Sequence, residues 1–298
     1  MNTKRLTQDK IVYFFNYVFL LLLLAVVLYP IIYIISCSFS SGDALIAGKV
    51  RFLPVGFSLD SYDAVFKYPD IWRGYLNSVV YTVVGTAFSL VITLLAAYPL
   101  SRDDFRGGKI ISFLFIFTMM FSGGLVPTYL LVKNLGLLDS MWAIVFTGAI
   151  NAYNIIIART FFKHSIPQEL LEASQIDGCT DFGFFTKVVL PLSKPIIAVL
   201  CLWIAVGFWN SYFSSLIYLN TESKYPLQMV LRRILIMSQV DLNVAGSSID
   251  PQKLLENQYL SEMLKYATII ISSIPLMVVY PFIQKHFTKG VLIGAVKG

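Results

Sequence analysis

Polar side chains set inside otherwise apolar blocks are the first candidates for chemistry in this chain. Asn151 and Asn154 stand three residues apart, and so on one helical face. Gly207, Asn210, Ser211 and Ser214 repeat at i, i+3, i+4 and i+7, with Trp209, Tyr212 and Phe213 alongside. Ser272 and Ser273 precede Pro275 in a third block. Amides, hydroxyls and aromatic faces in that arrangement could line a path for a neutral, hydroxyl-rich solute. The same residues suit helix–helix packing, where small side chains permit close approach and Asn or Ser bonds between helices. Acidic residues are almost absent from these blocks, which argues against a carboxylate relay for protons.

A second cluster lies in a polar segment between two apolar blocks, about 164–194. It reads Ile166-Pro167-Gln168-Glu169-Leu170-Leu171-Glu172-Ala173-Ser174-Gln175-Ile176-Asp177-Gly178 and runs on through Val188-Val189-Leu190-Pro191. Pro167 suits the first turn of a helix, and Glu169 lies near its N-terminus, where negative charge is favoured. The stretch is too short and too polar to cross a bilayer. Gly178 suits a helix C-cap, and Asp181 could cap a second short helix holding Phe182, Phe184 and Phe185. The pattern describes a short amphipathic helix, a sharp turn and an apolar helix. It fits a rigid knob for a partner, and it equally fits an interfacial helix resting on lipid headgroups.

No reaction chemistry stands out. There is no GxxxxGK[ST] phosphate loop, and the run from Gly290 to Gly294 is not followed by Gly-Lys-Ser/Thr. His164 and His286 both fall at ends of apolar blocks. Cys37, Cys179 and Cys201 form no CxxC pair, so neither a disulfide framework nor a zinc site is indicated. The chain reads as non-enzymatic by itself, with no metal site.

The elements that must position these residues are membrane spans. Only 13% of the 298 residues are charged, about half of what a soluble domain carries. The apolar residues gather in blocks near or above the roughly 20 residues a crossing needs. They are continuous and lack period-2 alternation, which excludes a β-barrel. The expectation is an all-α membrane protein with six spans in one domain, 1–298. The spans are about 11–38, 76–100, 109–133, 141–163, 195–219 and 263–286. Ser122-Gly123-Gly124 and Pro127 interrupt the third. The run from Ile11 to about Cys37 is too long for a signal peptide and reads as a retained first span.

Charge sets the orientation. Lys4, Arg5 and Lys10 precede span one. Arg102, Arg106 and Lys109 follow span two, and Lys285, Lys289 and Lys297 lie at or beyond the end of span six. Their density at span ends places both termini in the cytoplasm. The net charge of +6 is thus a topology signal and does not suggest nucleic acid. The long loop 164–194 is then cytoplasmic, and loops 39–75 and 220–262 face outward. Arg232 and Arg233, in the second outer loop, could meet an acidic partner, meet an acidic sugar or be solvated.

The spacing of Glu172, Ala173, Ser174, Gly178, Leu190 and Pro191 resembles the EAA loop of binding-protein-dependent ABC importer permeases. Ser174 stands where the family has a second Ala. Asn77-Ser78, Ala97-Tyr98-Pro99-Leu100-Ser101-Arg102, Trp209-Asn210 and the Gly-rich, basic tail Thr288–Gly298 are similar to the MalG-like carbohydrate branch. Gly123-Gly124-Leu125-Val126-Pro127-Thr128-Tyr129 resembles the subgroup that imports oligosaccharides. The resemblance implies a type I ABC importer permease fold in the bacterial cytoplasmic (inner) membrane. It implies that Glu172, Ala173, Ser174, Asp177, Gly178, Leu190 and Pro191 form the segment coupled to an ATPase. The implied partners are a second homologous permease, two ATPase subunits that bind ATP and Mg, an extracellular solute-binding protein, membrane lipid and an oligosaccharide. The outer segment Tyr225-Pro226-Leu227-Gln228 becomes a candidate tip contacting the binding protein. The tail could reach the ATPase interface or simply fray. The rival reading is an ion-coupled secondary transporter. It needs ionisable groups near the midplane and often shows inverted repeats, and neither is visible.

Overall fold

The computed structural model describes residues 3–243 and 251–295, with side chains described for residues 10, 12–236 and 259–281. All regular structure among these residues is helical. The helices are α1 (Thr3–Ser38), α2 (Gly42–Ile46), α3 (Asp60–Lys67), α4 (Pro69–Ser101), α5 (Gly108–Met120), α6 (Leu125–Asn134), α7 (Met141–Ala149) and α8 (Ala152–Ser165). They continue with α9 (Gln168–Ile176), α10 (Asp181–Phe184), a π-helical turn (Phe185–Val189), α11 (Leu190–Leu192) and α12 (Lys194–Trp209). The last are α13 (Tyr212–Tyr218), a 3-10 turn (Glu222–Lys224), α14 (Leu227–Asn243) and α15 (Pro251–Ala295). The outer stretch expected as a loop at 220–262 is therefore mostly helix.

Three helices hold stretches long and apolar enough to cross a bilayer: Val12–Ser38, Pro69–Ser101 and Tyr259–Pro281. Three bent pairs raise the number to six if each is one span. The pair Gly108–Met120 and Leu125–Asn134 bends by 112° at the Ser122-Gly123-Gly124 interruption. There Gly124 takes φ +87 and ψ 171, a conformation that essentially only glycine adopts. The pair Met141–Ala149 and Ala152–Ser165 bends by 47°. Asp181–Leu192 meets Lys194–Trp209 at 82°. The expected continuous span 195–219 is instead broken after Trp209. The Asn210 side chain donates to the Val206 carbonyl at 3.0 Å, offering the backbone a local alternative to helix.

The chain forms two compact units. One comprises Met1–Ile71 and Leu231–Ser273. Within it, Cys37, Ala44 and Val50 make a small core against Tyr33, Leu45 and Tyr266. Arg233 Nη2 donates to Asp70 Oδ2 at 2.5 Å, so one member of the predicted solvated or partner-facing arginine pair is held by an internal ion pair. Ser272 and Ser273 both donate to the Ile269 carbonyl at 2.8 Å, bonding back along their own helix. The side chains of His286, Lys285 and the tail Thr288–Gly298 lie outside the described residues.

The other unit comprises Trp72–Val230 and Ile274–Gly298, and it holds the main core. Leu94, Ala97 and Leu100 of α4 meet Ala158 and Phe162 of α8, Leu200, Ile204 and Phe208 of α12, and Phe184, Phe185 and Val189. Phe208 wedges beside two glycines. A Cβ on Gly85 would lie 2.7 Å from its ring, and one on Gly148 3.0 Å.

One end of this unit is fastened by Asp139, whose backbone sits at φ 55. Its carboxylate accepts from the Asn220 and Thr221 amides at 3.0 and 2.9 Å, from the Thr221 hydroxyl at 2.7 Å and from Lys224 Nζ at 2.7 Å. The Lys224 ammonium, then the Thr221 groups, hold this carboxyl well below the usual carboxylate range. A depressed folded pKa means the clip contributes stability above the ordinary carboxylate range and loses it as pH falls through the depressed value.

Three outcomes test this packing. Gly85→Ala should push the buried Phe208 ring aside and cost about 1–3 kcal/mol, read as a lower melting temperature in detergent. Gly207→Ala, where a Cβ meets nothing within 4 Å, should leave melting unchanged or slightly raised. Asp139→Ala should weaken the clip locally by about 1–2 kcal/mol. Trypsin should then cleave after Lys224 several-fold faster than in the parent, with global melting little altered.

Candidate functional site: an exposed knob and a polar cavity

The segment 164–194 folds as a short helix on a stalk of aromatic residues. Pro167 is the N-cap of α9 rather than a first-turn residue, in extended backbone at φ −61, ψ 143. Gly178 takes the expected positive φ, +72. The Cys179 amide bonds the Ser174 carbonyl at 2.9 Å and the Gly178 amide bonds Gln175 at 3.0 Å, which closes the helix C-terminus. The cap of α10 is Thr180, not Asp181: Thr180 Oγ1 accepts from the Gly183 amide at 3.1 Å, and Asp181 falls in the first turn. Threonine caps with a shorter side chain and leaves the Asp181 carboxylate free to reach sideways.

α9 buries none of its residues fully. Leu171 rests on the main core, while Leu170 is exposed and Ile176 is 88% exposed at the tip. Glu172 and Ala173 are also exposed, with Gln168 Nε2 donating to Glu172 Oε1 at 3.0 Å. Ser174 turns its hydroxyl back to the Leu171 carbonyl at 2.7 Å. Asp177 and Gly178 complete the exposed tip. Leu190 packs on the core, and Pro191 is exposed in α11. Proline carries no N–H, and the ladder widens to a π turn immediately before it.

The knob is seated by Phe184 and Phe185, 2% and 5% exposed. The Phe185 ring lies 5.0 Å from that of Tyr98 on α4. Polar bonds surround this seat. Arg102 pairs with Asp181 and Asp104, and its guanidinium approaches the Tyr98 hydroxyl at 3.3 Å. Lys163 pairs with Asp103 at 2.6 Å. Arg159 Nε donates to the Leu100 carbonyl at 2.8 Å, satisfying a helix-end acceptor. The Arg102 guanidinium holds the Asp104 carboxyl below its ordinary range, and Lys163 does the same for Asp103. Beneath α9, Tyr98, Arg102, Asp103, Asp104, Lys163 and Glu172 line a cavity of about 510 Å³.

A second cavity, about 250 Å³, lies between α4, α7, α8 and α12. It brings together five of the predicted path residues: Asn151, Asn154, Gly207, Ser211 and Ser214. Asn154 is buried, and the buried Ser211 hydroxyl has no hydrogen-bond partner among the described residues. Asn151 also does structural work, since its side chain caps α8 by accepting from the Asn154 amide at 3.3 Å. Trp209, Asn210 and Tyr212 are not part of this lining. Trp209 is buried with its ring 5.6 Å from Tyr75. The sequence reading missed Ser89, Gly148 and Trp203, which share the wall with Ile144, Ile204 and Phe208. Ser89 belongs to a stripe on α4 with Thr82, Thr86 and Thr93, at helical spacing, that could have revealed it.

The segment Tyr225 to Gln228 is not a projecting tip. Pro226 and Leu227 are buried, and Tyr225 and Gln228 are partly so. Asn77 Nδ2 donates to the Ser223 and Tyr225 carbonyls, the Tyr81 hydroxyl donates to the Lys224 carbonyl, and the Leu227 amide donates to Ser78 Oγ. Four backbone groups are thus satisfied by α4, and the exposed residues of this turn are Asn220 to Ser223.

The sequence and fold match known proteins along almost the whole chain. Residues 4–293 match the family described as binding-protein-dependent transport system inner membrane component. The polygalacturonan/rhamnogalacturonan transport system permease protein YtcP of Bacillus subtilis is 45% identical, over 95% of this chain and 96% of that one. Protein LplC of the same organism is 45% identical, over 92% and 90%. A chain from the crystal structure of a bacterial ABC transporter involved in the import of the acidic polysaccharide alginate superposes with a TM-score of 0.83. It is 37% identical, over 94% of this chain and 98% of that one. The exposed knob, the broken helices around a polar cavity and these matches agree: the chain belongs to the inner-membrane components of binding-protein-dependent transport systems, with the fold of an ABC importer permease.

Proposed function

We propose that this permease passes an oligosaccharide through the bilayer and receives the driving force from a separate ATPase seated on α9. The exposed knob carries this reading: Leu170, Glu172, Ala173 and Ile176 are presented outward while Phe184 and Phe185 bind the same segment to the core. An apolar tip ringed by polar groups is the makeup of a protein-docking surface rather than of a headgroup-resting helix. Two ATPase subunits would bind ATP and Mg, a second homologous permease would complete the path, and an extracellular binding protein would deliver the solute. Closure of the ATPases would carry the knobs inward and turn the cavity outward. Such a switch needs contacts that differ between the two states, and the knob is the surface on which they would be made.

The cavity of Asn151, Asn154, Gly207, Ser211 and Ser214 suits hydroxyl-rich cargo. It offers amides and hydroxyls without charge, and Trp203 on its wall stacks with Tyr153 at 6.2 Å. The relatives are named for polygalacturonan and rhamnogalacturonan and for alginate, which supports a polysaccharide fragment, and an acidic one, as the cargo.

Three outcomes test the reading. Glu172→Lys should cut ATP-dependent uptake of labelled oligogalacturonate at least tenfold, with the permease still inserted and folded; full uptake would count against docking at α9. Gly207→Leu should place a side chain in the cavity, since a Cβ at this position meets nothing within 4 Å. Uptake should then fall at least fivefold while the ATPase still co-purifies. If purified permease transports in vesicles without any ATPase, the ion-coupled alternative gains and the importer reading fails.

A further inference from the structure

The core that seats the knob is apolar, and apolar contacts can slide, so the direction of a pull on α9 has to be fixed by something directional. The polar bonds at the cytoplasmic end of α4 have that property. Arg102 stands at the first position after α4, with its side chain 13% exposed. Its Nη1 reaches Asp181, which begins α10 directly after the knob. Its Nε and Nη2 take both oxygens of Asp104, the Nε contact at 2.8 Å, a two-pronged grip that fixes the plane of the guanidinium. The Tyr98 ring lies 6.0 Å beneath the charge and itself packs on Phe185. One cation thus joins α4, the turn after it and the knob. On the other flank, Lys163 with Asp103 joins α8 to the same turn, and Arg159 with the Leu100 carbonyl joins it to the end of α4.

We propose that Arg102 is a positioning residue for energy coupling: through Asp181 it ties the knob to α4, so that displacement of α9 moves that span instead of slipping past it. The proposal rests on the importer reading above. Removing the tie should leave docking and ATP hydrolysis in place and lower the solute moved per ATP spent. A fork is needed to hold Asp104 and Asp181 at once, so Lys, a point charge on a flexible stem, should substitute poorly.

The test uses the assembled importer in proteoliposomes with its binding protein, oligogalacturonate inside that protein, and ATP. Wild type, Arg102→Ala, Arg102→Lys, Asp181→Ala and the Arg102→Ala/Asp181→Ala double variant are compared for ATP hydrolysis, uptake and their ratio. In Arg102→Ala, hydrolysis should stay within about twofold of wild type while uptake per ATP falls at least fivefold. Arg102→Lys should retain a minor part of the ratio. Asp181→Ala should lower the ratio in the same direction, and the double variant should be no worse than Arg102→Ala, because both singles remove one tie. An unchanged ratio in Arg102→Ala, or additive losses in the double variant, would overturn the proposal. If Arg102→Ala does not assemble, Asp181→Ala decides, since it leaves Arg102 on Asp104; an unchanged ratio there overturns the proposal too. Failure of the importer reading looks different: wild type itself would then show no ATP-dependent uptake.

Discussion

The burial of Phe184 and Phe185 against α4 and α8 is the contact on which the rest of this structure depends. A helix of nine residues such as α9 has too few internal bonds to persist alone in water. Its order comes from the groups that hold its ends. Gly178 closes one end with two backbone bonds, and the aromatic pair anchors the chain beyond that turn to the core. Burying two such rings contributes about 3–6 kcal/mol, an amount comparable with the cost of ordering several residues of loop. The outcome is a surface that is exposed and yet fixed, which a docking site requires.

The spans obey a second constraint. Within an apolar slab every backbone N–H and C=O must find a partner inside the protein. Breaks in α5–α6, α7–α8 and α12–α13 therefore demand compensation, and the chain supplies it with short polar side chains. Thr128 donates to the Gly124 carbonyl, Asn151 accepts from the Asn154 amide, and Asn210 donates to the Val206 carbonyl. Two of the three breaks border the small polar cavity through Asn151 and Ser211. Polar residues placed to repair the backbone thus also furnish a lining, as Asn151 does by capping α8 from the cavity wall. For Trp209 packing alone holds, since its indole is buried against Tyr75.

Features that depend on neighbours along the chain are legible in the sequence, and features that depend on distant partners are not. The apolar blocks, the glycine that must take positive φ at 178 and the interruption at 122–124 are local properties, and the structure carries them. The choice between Thr180 and Asp181 as a cap is also local but nearly degenerate, because both side chains suit the position; the register of α10 decides it. Arg102 and Asp181 are 79 residues apart, and Arg233 and Asp70 are 163 apart. Charge density explains Arg102 as a topology signal, and nothing local marks it as a tie. The stretch from Tyr225 to Gln228 reads as a projecting tip for the same reason: the partners that bury it, Asn77, Ser78 and Tyr81, lie on α4, some 150 residues earlier.

The central claim, that α9 is where a partner ATPase presses on this permease, is tested most directly by a photo-crosslinking residue in place of Ile176 in the intact membrane complex. The account predicts an adduct with the ATP-binding subunit, formed with transport still measurable, and none from the same probe at Val126 on α6. Transport-competent complexes that yield no ATPase adduct from position 176 would contradict it.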